Sequence, residues 1–428
     1  MTSAGKLLIT AGLLAVLAAP AALAHGPVAR NSEGQVAAAR LFTSDSATGE
    51  VVAIDLPEGN VVARLATPPY VLTLGLTNDS RYLFAMRGRD TKRDTITVID
   101  TGLGDAGGKF RFPAIVRTWL GNAPGGVHDG HLATIGGQDA VFNEGTGEVE
   151  IYQGSNFGSL DAVPVRRLKL AAPDHYHYQE AGDNLYVGHL AKGLVQIIDR
   201  KSGAEVGRVA GCPVLHGMSD DPETGRLLFA CMGNVVVVGT RGEEANKEVA
   251  RIPYPSKQRA AIFMHGKDGV LWGTSEGANP AILRLDSRKQ PYAFESVPVN
   301  AAIQRGVTED GNFILLYSRD GTLDIRDGGT GESLRTVRVS RKFDSEYHEH
   351  VDKALLPEIV TIGTSAWITI PTKGQLVEVD ILAGKVLRKI KLGGQPTRLV
   401  VVRANPNASN PAAVAAEPVT TGMNRPAQ

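Results

Sequence analysis

Ten histidines carry most of the chemistry that this sequence offers. They gather in short runs: His128-Asp129-Gly130-His131, Asp174-His175-Tyr176-His177, His216-Gly217, His265-Gly266 and Tyr347-His348-Glu349-His350. Imidazole is a borderline ligand that suits Zn2+ and Cu2+, and zinc accepts three or four N or O donors. Asp129, Asp174, Glu349 and Asp352 stand close enough in sequence to complete a shell or to orient a ring nitrogen from behind. Two histidines two apart on a strand share a face, as His175/His177 and His348/His350 would. His128 and His131 are three apart, and Gly130 allows the bulge that would bring them together. The competing role is structural, one histidine per repeat acting as a hydrogen-bond relay. A relay needs neither doubled histidines nor a cluster confined to part of the chain.

Positioning these residues requires a repeating scaffold. An alternating strand followed by Asp or a polar turn recurs at Val51–Asp55, Thr95–Asp100, Val149–Gln153, Val195–Asp199, Val235–Thr240, Ile282–Asp286, Leu323–Asp327 and Leu376–Asp380. Period-two alternation bounded by Gly, Asp and Asn is a strand signal. A spacing of about 40–55 residues is that of four-stranded propeller blades. Long helical patterns are missing, which excludes α/β folds with crossover helices. The reading is an all-β chain forming a single β-propeller over residues 36–404. It has eight blades of four antiparallel strands, with seven as the alternative if one copy is misread. The first blade, from about Ala38, lacks its innermost strand. Thr397–Val402 fills that gap, joins the first blade and closes the ring, leaving no long free edge.

Aligned on the innermost strand, the slot of Leu74 is taken in later blades by His131, His177, His216, His265 and Arg305. His350 (or His348) follows in the eighth blade and Arg398 in the closing strand. Innermost strands line the central channel of a propeller. Equivalent positions therefore face one space, and the candidate metal ligands are His128, Asp129, His131, His175, His177, His216, His265, His348 and His350. His189, at a strand end, is read as structural.

Composition bounds the rest. Lys+Arg and Asp+Glu both number 45, so no electrostatic footprint for nucleic acid exists. Residues 1–24 read as a signal peptide, with Lys6, the apolar run Leu7–Leu17 and an A-x-A site at Ala22-Leu23-Ala24. Cleavage after Ala24 would leave His25 at the N-terminus of an exported protein, periplasmic in a Gram-negative source, with no membrane span. Residues 25–35 are expected to be a mobile arm and 405–428 a disordered tail. Cys212 and Cys231 are an even pair, read as a disulfide in an oxidising compartment, with a thiolate zinc ligand as the alternative.

With these runs, the chain resembles the AztD family of periplasmic zinc metallochaperones over residues 36–404. The resemblance implies zinc, at one or two sites, as the metal. It also implies a partner, the solute-binding protein of a zinc ABC importer, to which the metal is delivered; a monomer is expected. Two other classes stay open on the residues. One is a metal-dependent enzyme, a copper redox protein or a zinc hydrolase with Glu349 or Glu276 as base, although no nucleophile elbow or phosphate loop is present. The other is a protein-interaction scaffold without metal. The reading adopted is binding and transfer, not catalysis.

Overall fold

Alternation in the sequence becomes sheet throughout. The computed structural model describes residues 39–404 apart from 69–70, 72, 88–94, 105–109, 121–131, 154–156, 158–161, 222, 257–258, 276–278 and 343–355. The regular elements among the described residues are β-strands and short 3-10 turns, so the chain is all-β. The strands form antiparallel sheets: six have four strands, and one has seven. The seven-stranded sheet is two four-stranded units sharing one long strand, Phe294–Val307, so eight such units follow one another. Each of the eight alternating segments picked out above is the third strand of a unit.

Position within a unit explains strand composition. Third strands are covered on both faces and run apolar, as in Asn234–Val238, whose four valines are fully buried. Fourth strands alternate, as in Lys385–Lys391, where Lys385, Lys389 and Lys391 are exposed; lysines there discourage edge-to-edge pairing. The polar turn after the third strand is a five-residue device. In Asp199–Gly203 the Asp199 carboxylate accepts from the Ser202 N–H and hydroxyl, and Gly203 N donates to the Asp199 carbonyl with φ +78°. That left-handed conformation favours glycine.

The core lies between units. Leu41, Phe42, Val52 and Ile54 of the first unit divide between two apolar clusters. One is shared with Leu74, Leu83 and Ile99 of the second unit, the other with Trp367 and Leu376 of the eighth. The remaining six clusters likewise join consecutive units. The strand Pro396–Arg403 pairs antiparallel with Ala39–Asp45, so the two ends of the described chain share one sheet.

Two fully buried ties reach from one unit to the next, one hydrogen-bonded and one covalent. Arg40, fully buried, donates to both carboxylate oxygens of Asp55 at 2.6 and 3.1 Å. It also donates to the carbonyls of Thr101 and Arg111 at 2.8 and 2.6 Å, and lies over the Phe110 ring. Cys212 and Cys231 form a disulfide between the end of the fourth unit and the fifth. Both are fully buried. The pair closes a 19-residue separation, so replacing both cysteines by serine is expected to cost about 3 kcal/mol of stability by loop entropy. Chemical denaturation of parent and double variant checks this.

Candidate metal centre

Three histidines meet where the fourth and fifth units abut. His175 immediately precedes the first strand of the fourth unit, Tyr176–Ala181, and His177 is its second residue. His216 stands two residues before the first strand of the fifth, Met218–Asp220. Ring centroids are 5.2 Å apart for His175/His177, 5.3 Å for His175/His216 and 4.6 Å for His177/His216. One candidate ligand atom from each lies within 4.8 Å of the others. Nitrogens sharing one tetrahedral zinc stand roughly 3.3 Å apart, given Zn–N bonds of about 2.0–2.1 Å. Small side-chain rotations bridge the difference. His177 and His216 are buried, and His175 is partly so.

Local backbone explains the meeting. His177 pairs with Gly188, where a Cβ would collide with Leu215. The missing side chain lets the segment leading to His216 approach. Gly217 then turns at φ +94°, and a Cβ there would strike the Ala261 carbonyl oxygen. Just upstream, Val214 holds φ +51°, costly for a β-branched residue. Its carbonyl accepts from Arg259 at 3.1 Å, and the Cys212–Cys231 bridge anchors the same segment.

One carboxylate orients the cluster, and sequence reasoning missed it. Glu144, buried in the turn after the strand Gln138–Asn143, lies with Oε1 2.8 Å from His175 Nδ1. A carboxylate only accepts, so Nδ1 carries the proton and Nε2 is the nitrogen with the lone pair. The one local signal was an acidic residue in the polar turn of the unit beside the doubled histidines. Asp174, weighed above as a ligand, is engaged otherwise: its carboxylate accepts from the backbone N–H groups of His175, Ala191 and Lys192. His189 is fully buried, with Nε2 3.2 Å from Gln196 Oε1 and its ring edge-on to Tyr176. Burial pushes its pKa down, so it stays a neutral packing group.

His265 corrects the alignment. It was expected at the level of His177 and His216, but it closes the strand Ile262–His265 and pairs with Leu271. The position matching His177 in that unit is nearer Ile262 and Phe263. His265 Nε2 instead lies 3.1 Å from Ser219 Oγ and 3.3 Å from Asp220 Oδ1. The cause is the Gly266 that follows it. Gly217 turns into a strand, whereas Gly266 leaves one, packed on the Gly328 carbonyl and Trp272. His128, Asp129, His131, His348, His350, Glu349, Asp352, Glu276 and His25 lie outside the described residues, as do the signal peptide, the arm and the tail.

Three imidazoles, with the buried Glu144 carboxylate against His175, form a nitrogen-rich group that could hold a metal ion. No protein-family model matches the chain. The zinc chaperone AztD of Citrobacter koseri is 21% identical over 384 residues, covering 87% of this chain and 88% of that protein. The structure of apo AztD from the same organism superposes with a TM-score of 0.68 at 20% identity, over 87% of this chain and 99% of that one. Dihydro-heme d1 dehydrogenase NirN shares the fold at a TM-score of 0.61 and 14% identity, over 87% and 76% of the two chains. In sequence and in fold alike, the chain is similar to AztD over most of its length.

Proposed function

We propose that this protein is an exported zinc chaperone. It binds Zn2+ at His175, His177 and His216 and passes it to the solute-binding protein of a zinc ABC importer. The observation that carries this reading is the convergence of three imidazoles from two neighbouring units. The name of the similar chaperone supports zinc as the cargo. The scaffold is read as an eight-bladed propeller closed by Pro396–Arg403, a reading supported by the cyclic order of the apolar clusters and the shared terminal sheet. His128, Asp129 and His131 precede the first strand of the third unit as His175 precedes that of the fourth, and are assigned as further donors on that ground. His348 and His350 are assigned to a second site. Residues 1–24, read as a signal peptide, support export of the mature chain, to the periplasm in a Gram-negative source.

Transfer, not turnover, suits the donor set. Glu144, the carboxylate beside His175, is committed to that ring and so is not placed to act as a general base. Where His175, His177 and His216 alone hold the zinc, a position stays open, and a partner's ligand enters there before the last donor leaves. Glu144→Gln is expected to weaken zinc binding about 10- to 100-fold by loosening the His175 tautomer; a competition titration against a chelator reads it.

The site also predicts a pH profile. Each imidazole must be neutral to bind, and the reference pKa is about 6.5. Zinc affinity is expected to fall roughly a thousand-fold from pH 7.5 to pH 5.5 if three imidazoles share the metal. The deciding experiment is a chelator-competition titration of the mature chain, followed by mixing with a zinc-free solute-binding protein. Zinc movement faster than its dissociation into buffer supports the proposal. Binding that ignores pH, or transfer no faster than dissociation, refutes it.

A further inference from the structure

His216 rides on the linker 211–217, between the fourth strand of the fourth unit, Glu205–Ala210, and the first strand of the fifth, Met218–Asp220. Two fastenings hold this linker to the end of a single strand, Leu227–Ala230. Cys212 is bonded to Cys231, the residue that follows that strand. His216 N donates to the Ala230 carbonyl at 2.9 Å, and Ala230 N donates to the Gly217 carbonyl at 3.0 Å. Pro213, Val214 and Leu215 span the interval, and Met232 N donates to the Pro213 carbonyl at 2.7 Å. The disulfide and the candidate zinc ligand are therefore opposite ends of one short closed ring.

The backbone inside that ring needs holding. Val214 keeps φ +51°, a conformation that a β-branched residue leaves unless its surroundings impose it. Leu215 is fully buried and packs with Cys212, Cys231 and Phe229 in one apolar cluster. The chain has two cysteines, and both are placed here. A metal ligand binds well when the groups behind it fix its position beforehand, and loss of such support costs about 10- to 100-fold in affinity.

We propose that the Cys212–Cys231 disulfide is a positioning element of the zinc site. It sets His216 against His175 and His177, so that the oxidised chain holds zinc about ten-fold more tightly than the same chain with two thiols. This regulation rests on the zinc reading of the three histidines.

Opening the bridge takes two electrons and two protons. Two thiols of a donor supply them and leave joined as the donor's own disulfide. With the bond gone, Pro213–Leu215 relaxes away from the left-handed turn at Val214, and His216 loses its fixed place against the other rings. By linkage, bound zinc stabilises the bridge against reduction by the same factor. An oxidising compartment thus favours loading, and a reducing one weakens it.

The test measures zinc affinity of the mature full chain by chelator competition, as prepared and after reduction with a phosphine. The phosphine is oxidised to its oxide with oxygen from water and adds no thiol of its own. The double variant Cys212→Ala/Cys231→Ala gives a bridge-free chain without thiols that can themselves bind zinc, and circular dichroism checks its fold. Both bridge-free forms are expected to bind zinc about ten-fold more weakly than the oxidised parent. In a His216→Ala background, removing the bridge should change the residual affinity by no more than about two-fold. A general loss of folding would lower it in both backgrounds. Should the double variant fail to fold, the reduced parent decides. Equal affinity with and without the bridge, while His216→Ala still weakens binding, overturns the proposal and leaves the zinc reading standing. Tighter binding by the reduced parent, its thiolates joining the metal, overturns it too. A parent that holds no zinc overturns both.

Discussion

Replacing His216 with alanine is expected to weaken zinc binding at least a hundred-fold. Structural zinc sites are worth about 10–16 kcal/mol in total, so one of three or four donors carries roughly 3 kcal/mol. The choice of His216 follows from the geometry. It is the sole member from the fifth unit, and its ring meets both other rings within 5.3 Å. Two controls separate ligation from structure. His265→Ala should leave zinc affinity unchanged, because that ring sits on Ser219 and Asp220. His189→Ala should lower stability without removing the metal, since that side chain is fully buried against Tyr176 and Gln196. A His216→Ala protein that competes with a chelator as well as the parent would remove the site from consideration.

The second large effect concerns the scaffold. Arg40→Met is expected to destabilise the protein by about 3–5 kcal/mol, because it strands the Asp55 carboxylate in a dry interior. It also leaves the Thr101 and Arg111 carbonyls without this donor. Replacing both partners, Arg40→Met with Asp55→Leu, should recover much of the loss, since neither charge then remains buried. Urea unfolding of the single and double variants reads the difference. A double variant no better than Arg40→Met would mean that the tie to the second unit, not the stranded charge, dominates.

Much of the scaffold was legible because it is written locally. Third strands such as Asn234–Val238 show their burial in composition, and the Asp199–Gly203 turn declares itself by an acceptor at one end and a glycine at the other. His177 and His216 were legible for the same reason, each holding one place in the repeat. What failed was whatever depended on contacts between units. The His265-Gly266 pair looks like His216-Gly217 in one dimension, yet one glycine follows its strand and the other precedes it. Glu144 reaches His175 across 31 residues and a unit boundary, and its acidic side chain in a polar turn is a weak local mark of that relation. Arg40 sits between Ala39 and Leu41 in a strand whose seven residues are all buried, and its partners in the second unit lie 61 and 71 residues away.

The pairing of Ala39–Asp45 with Pro396–Arg403 carries a consequence for how the protein is made. Ser44 and Thr397 meet across 353 residues, so the first sheet waits for nearly the whole polypeptide before its last partner arrives. Until then, a nascent chain presents an open strand edge at its leading end, the kind of edge that recruits other chains. Such distant pairing is also slow, because loop closure precedes any reward from contact. Chaperoning during synthesis therefore matters most at the two ends of this sequence, and a premature stop before Pro396 would harm the oldest sheet, not the newest.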